Sequence, residues 1–110
     1  MKISEIKNGK VYILRLTGRV DSVTSADLET KINKLICQGE NFVLLNFSNL
    51  EYISSAGLRV LLTSAKKIKM NNGKFMICSI KGIVKEIFFI SGFSEILSIY
   101  ENEEEALKQI

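Results

Sequence analysis

The sequence predicts an α/β fold: a mixed sheet with four helices in the order ββαβαβαβα. Three observations carry this. The chain opens on a hairpin pattern, "KISEIKNGKVYILRLTG". Short apolar runs of strand length, "NFVLLNF" and "KFMICSI", then alternate with longer stretches of helical periodicity. Strands separated by helices imply right-handed βαβ crossovers, so the later part of the sheet should be parallel and only the opening hairpin antiparallel.

In the hairpin, Asn8-Gly9 is the expected two-residue turn, since both residue types tolerate positive φ. Val11, Ile13, Leu14 and Leu16 mark a largely buried second strand, which Gly18 should end. "DSVTSADLETKINKLICQGE" reads as the first helix. Thr24 and Asp27 stand at capping-box spacing, Leu28, Ile32, Leu35 and Ile36 share one face, and Gly39 supplies the stop. "NFVLLNF", residues 41–47, lacks alternation, as expected of an interior strand covered on both sides. A second helix should run from about Ser55 to Met70, with Leu58, Leu61, Leu62, Ala65 and Ile68 inward and Asn72-Gly73 after it. "KFMICSI" is the next strand. "KGIVKEIFFISG" is a third helix with Ile83, Val84, Ile87 and Phe88 inward. "ILSIY" is a weak last strand, and "NEEEALKQI" is a short helix whose acidic first turn suits the helix dipole.

With 110 residues and no linker or repeat, the chain is expected to form one domain, residues 1–110. Its 46% apolar and 25% charged residues are globular in character. No apolar run approaches the ~20 residues a bilayer requires, and the N-terminus lacks the apolar core of a signal peptide. The expectation is a cytoplasmic protein with no direct membrane contact. A net charge of +3, concentrated locally at Lys66, Lys67 and Lys69, is too mild for a nucleic-acid surface. Those lysines read as a solvated helix face. Cys37 and Cys78 lie in apolar contexts and form no CxxC pair, so both are expected as buried free thiols. Histidine is absent, which removes Ser-His-Asp and Cys-His catalysis and His-ligated metal sites. No cofactor is implied, and a monomer is the simplest expectation.

The informative stretch is "EYISSAGLRVLL", Glu51 to Leu62. Two serines precede Ala56-Gly57-Leu58 where a strand should turn into a helix. Ser54 or Ser55 at the helix N-cap would satisfy an unpaired backbone N–H, worth roughly 1 kcal/mol. Gly57 permits close packing. The same free N–H groups, with the positive end of the helix dipole, also favour a phosphate. Arg59, four residues after Ser55, would lie on the same helical face. Nucleophilic use of either serine lacks a base: Lys66 and Lys67 are two to three turns away, and the corner is not GxSxG.

"LLNFSNLEYISSAGLRVLL" resembles the signature of STAS domains, the family named for sulfate transporters and anti-sigma factor antagonists. The resemblance extends over essentially the whole chain, through "LTGRVDSVTSADL" and "GIVKEIFFISGFSEILSIYENEEEAL". It implies an anti-sigma factor antagonist: a protein that binds an anti-sigma factor with serine kinase activity while unphosphorylated, is released by serine phosphorylation, and is restored by a serine phosphatase. Aligning on Gly57-Leu58 places the phosphorylated serine at Ser55, with Ser54 as the alternative acceptor. The partner-binding set the resemblance implies is Asp21, Ser54, Ser55, Ala56, Gly57, Leu58 and Arg59. Two departures stand out. Ser54 replaces an acidic residue beside the phosphosite, and Asn46 replaces one at the strand end; both lower the negative charge expected around a phosphate. The alternative function is a constitutive docking subunit of a lipid-transport or signalling complex. An enzyme is a third and poorer reading.

Overall fold

The computed structural model describes all 110 residues. The elements are β1 (Lys2–Asn8), β2 (Val11–Val20), α1 (Thr24–Cys37), β3 (Phe42–Ile53), α2 (Ser55–Met70), β4 (Lys74–Cys78), α3 (Gly82–Ser91), β5 (Ser98–Tyr100) and α4 (Glu103–Leu107). A single 3-10 turn at Phe93–Glu95, unforeseen in the sequence, links α3 to β5. The five strands form one sheet in the order β1-β2-β3-β4-β5, with β1-β2 antiparallel and the rest parallel. The element order and sheet type are those the sequence predicts.

Strand alternation sends Leu14, Leu16, Val43, Leu45, Phe47, Phe75 and Ile77 to one face, where they pack against Leu28 and Ile32 of α1, Leu61 and Ile68 of α2, and Val84 and Phe88 of α3. The Phe47 and Phe88 rings meet edge to face at 6.1 Å, a favoured aromatic geometry. Val11, Ile13, Leu44, Met76 and Cys78 face the other way and are covered by Ala106 of α4. β3 is therefore the interior strand, buried on both sides, which is why it lacks alternation. α1 ends in a Schellman motif: Glu40 N–H donates to Leu35 O and Gly39, at φ +83°, donates to Ile36 O. α2 ends the same way, with Asn72 at φ +60° in the left-handed position.

Several boundaries differ from the sequence reading. The hairpin turn is Gly9-Lys10, because Asn8 pairs with Val11; only Gly9 carries positive φ. Gly18 does not end β2, which continues through a register shift at Gly18/Arg19 to Val20. β3 runs six residues past Phe47, since its polar second half still pairs with β2. β4 stops at Cys78, where Ser79 takes φ +63°. β5 covers only Ser98–Tyr100, with Leu97 buried ahead of it and Ile96 exposed. Ile83 points outward, since α3 turns Val84 and Phe88 to the core. Cys37 is exposed and only Cys78 is buried; both thiols are free. Lys66, Lys67 and Lys69 are all exposed, as expected of a solvated face.

Candidate functional site: a serine corner where two helices begin

β2 and β3 run parallel and end level, with Val20 opposite Ile53. A helix starts just beyond each. Ser54 N–H donates to Val20 O at 2.8 Å, which ties the two exits together. The loop carrying Asp21 and the corner carrying Ser54 and Ser55 are thus neighbours, although 33 positions separate Asp21 from Ser54.

The two serines divide the work. Ser54 is the N-cap of α2: its backbone is extended (φ −86°, ψ 172°), and its hydroxyl accepts from Gly57 N–H at 3.2 Å. Ser55 is the first residue of the helix. It is exposed, and its hydroxyl is engaged by no other group of the chain. Ala56 is half-buried, while Gly57 and Leu58 are buried. A Cβ on Gly57 would lie 2.7 Å from both Val20 Cγ1 and Ile53 Cγ1, so the first turn of α2 sits directly on the ends of the two strands. Arg59 is exposed one turn beyond Ser55. No acidic residue occupies the first turn of α2.

Asp21 caps the neighbouring helix. Its Oδ1 accepts from Val23 N–H and Thr24 N–H, each at 2.9 Å, while Thr24 Oγ1 accepts from Asp21 N–H at 2.9 Å. This reciprocal pair is a capping box one turn earlier than the Thr24/Asp27 spacing suggests, and Asp27 has no part in it. The N–H groups of Thr24 and Val23, in that order, hold the Asp21 carboxyl below the usual carboxylate range. Asp21 is therefore a fixed negative charge beside the corner.

The sequence reading missed four contributors. Val20 and Ile53 form the floor under Gly57. Arg19 and Tyr52, paired across β2 and β3, stack with 4.5 Å between the guanidinium carbon and the ring centroid, just before the corner. Their signal was present: each directly precedes a residue of the corner's floor. Asn46, in contrast, does not belong to the corner. It lies eight residues before Ser54 on β3, roughly 25 Å of extended chain. Its side chain donates to Glu103, which also takes a bidentate pair of bonds from Arg15 at 2.8 and 2.9 Å. Arg15, then burial in the opposite sense, then Asn46 set the Glu103 carboxyl, with a net lowering. This cluster pins α4 to the sheet. Asn46 thus leaves the charge at the corner unaltered, contrary to the expectation from the sequence.

No part of this arrangement supplies a base to either serine. What it offers is an exposed hydroxyl, helix N–H donors and flanking arginines on a mixed sheet. The chain belongs to the STAS domain family, whose model matches residues 2–106. It is 38% identical over 106 residues to BtrV of Bordetella bronchiseptica, a protein that carries the name of an anti-sigma factor antagonist, covering 96% of this chain and 91% of that one. It is 31% identical over 101 residues to the anti-sigma F factor antagonist of Paenibacillus polymyxa, covering 91% and 86%. The crystal structure of Thermotoga maritima TM1081 superposes with a TM-score of 0.93 at 21% identity, over 98% of this chain and 93% of that one. Phosphorylated SpoIIAA of Bacillus superposes with a TM-score of 0.75 at 21% identity, over 98% of each chain. No helix of the structure is long and apolar enough to cross a membrane.

Proposed function

We propose that this chain is an anti-sigma factor antagonist: residues 1–110, acting as one module, bind an anti-sigma factor while Ser55 is unmodified, and phosphorylation of Ser55 by that partner's serine kinase activity ends the complex. A serine phosphatase restores the binding form. The observation that carries the reading is the division between the serines. Ser54 does the capping, so Ser55 keeps a free, exposed hydroxyl at the positive end of α2. Sequence likeness to the Paenibacillus polymyxa antagonist supports the partner class. That SpoIIAA has the same fold in unphosphorylated and phosphorylated forms supports a switch that leaves the fold intact.

The geometry suits such a switch. A phosphate on Ser55 adds nearly two charges beside the N–H groups of the first turn and Arg59, so the free protein tolerates it. In a complex that covers the corner, the same dianion must be desolvated. Moving occupancy from 1:99 to 99:1 takes about 5.5 kcal/mol of differential affinity. Asp21, Ser54, Ser55, Ala56 and Arg59 provide accessible surface, whereas Gly57 and Leu58 contribute by seating the corner. The function requires binding and no catalysis by this chain.

The test is incubation with the cognate kinase and ATP, phosphosite mapping by mass spectrometry, and calorimetry of the partner with the wild type, Ser55→Ala and Ser55→Asp. Expected results are one phosphate at Ser55, near-normal affinity for Ser55→Ala, and at least a hundredfold loss for Ser55→Asp. Undiminished affinity of the fully phosphorylated protein and of Ser55→Asp would refute the switch and leave constitutive docking.

A further inference from the structure

α3 differs from the other helices in one respect: it is apolar on both sides. Val84 and Phe88 are buried in the core, yet Ile83, Phe89 and Ile90 remain 53%, 66% and 88% exposed. Large apolar side chains left on the outer face of a helix, beside charged ones, mark a surface that another molecule can cover. At ~200 Å² per large side chain, these three present on the order of 400 Å², the size at which an apolar patch on a monomer is commonly functional.

The outer face is also ordered by charge. With 3.6 residues per turn, Lys85 and Phe89 form one i, i+4 row and Glu86 and Ile90 form the adjacent row. Each row pairs one charge with one large apolar group, and the two charges are opposite. Lys85 and Glu86 are exposed and take part in no ion pair within the chain. A two-fold axis running along the helix direction lays the first row of one copy against the second row of the other. Lys85 then meets the partner copy's Glu86, and Phe89 meets its Ile90, twice over. This is the self-complementarity that an isologous interface demands.

We propose that this face of α3 is a homodimer contact, occupied by a second copy of the same chain. The apolar area is about half the ~800 Å² per partner of a standard interface, so the dimer is weak and sensitive to concentration. Because α2 and α3 both start at the carboxyl ends of their strands, a dimer with parallel α3 helices directs both Ser55 corners to the same end. The contact is independent of the phosphorylation switch, and neither proposal rests on the other.

Sedimentation velocity from 5 to 500 μM tests it, with circular dichroism confirming that each variant is folded. Wild type is expected to show a concentration-dependent dimer. Phe89→Asp, at an exposed position, should weaken it at least tenfold. Lys85→Glu alone should weaken it by placing two carboxylates together, and the double variant Lys85→Glu/Glu86→Lys should restore it. A wild-type monomer throughout the range overturns the proposal. So does a dimer indifferent to Phe89→Asp, failure of the charge swap to rescue, or protection of α3 from hydrogen exchange only on adding a different protein.

Discussion

Gly57→Ala sets two effects of opposite sign against each other at the heart of the corner. Gly57 lies in the first turn of α2 with negative φ, so alanine fits the backbone and would gain up to ~1 kcal/mol in helix propensity. Against this, the new methyl would stand 2.7 Å from Val20 Cγ1 and from Ile53 Cγ1. Both neighbours are β-branched and buried at the ends of paired strands, so neither can turn aside cheaply. Overpacking of a rigid site costs ~1–3 kcal/mol. With two contacts at 2.7 Å the steric cost falls in the upper part of that range, ~2–3 kcal/mol, so it wins and we expect a net destabilisation of about 1–2 kcal/mol. Urea unfolding measures it directly: with m near ~2 kcal/mol/M, the midpoint falls by roughly 0.5–1 M at unchanged m. A neutral or stabilised Gly57→Ala would show that the first turn of α2 is not seated on Val20 and Ile53, and the geometry assigned to the corner would fail with it.

The remaining predictions concern the corner, the α4 anchor and the thiols. Ser54→Ala removes the N-cap acceptor and should cost ~0.5–2 kcal/mol, while Ser55→Ala should stay within ~0.5 kcal/mol because its hydroxyl is free; equal losses in urea unfolding would contradict the assignment of the cap. Asp21→Ala should speed hydrogen exchange at the Val23 and Thr24 amides, and protection equal to wild type would show that the Asp21 cap does not form. Glu103 has a lowered folded pKa, so between that value and the ordinary 4.5 the native state binds fewer protons than the unfolded chain. Its contribution is present above about pH 4.5 and lost as pH falls through the folded value. Glu103→Gln should therefore flatten the fall in stability below pH 4.5, by at most ~1 kcal/mol since Arg15 is half open to solvent; a pH profile parallel to wild type would count against the Arg15–Glu103 pair. In native protein a thiol reagent should modify Cys37 alone, because burial first of all raises the Cys78 thiol and closes access to it; urea should then expose the second. Rapid modification of both in the folded state would refute the burial.

What the sequence made legible follows where local chemistry is sufficient. The exits of α1 and α2 were readable because Gly39 and Asn72-Gly73 are the residues that a left-handed C′ position requires. The start of α2 at Ser55 was readable for the same kind of reason. The end of β3 was not, because Ser48, Asn49 and Glu51 look like loop residues. They belong to a strand whose second half pairs with β2 but has no helix over one face, so polar residues are at home there. Ile83 was misplaced for the opposite reason. "IVKEIFFI" offers too little polar surface to set its phase, and only packing against Phe47 and the core selects Val84 and Phe88 as the inner pair. The link from Arg15 to Glu103 spans 88 positions, which no local pattern carries.

The corner itself was found in the sequence, but the charges around it were only half read. Of the two departures from the family pattern, Asn46 acts elsewhere, holding Glu103 and through it α4. Ser54 alone remains to alter the proposed phosphosite, and it does so through its charge. A carboxylate there could cap the helix equally well, so the cap does not explain the serine. What the serine changes is the charge next to Ser55: neutral instead of negative, with Arg59 one turn on and no acid in the first turn of α2. A dianion on Ser55 therefore meets helix N–H groups and an arginine, with Asp21 the fixed carboxylate across the strand ends, held by its own helix cap. Under the proposed switch, the free phosphorylated protein would therefore be stabilised relative to one with an acid at position 54. Ser54→Asp should accordingly keep the fold and the cap while raising the energetic cost of the phosphate, seen as a higher ³¹P-monitored pKa of the Ser55 phosphate. An unchanged phosphate pKa would mean that residue 54 serves the cap alone.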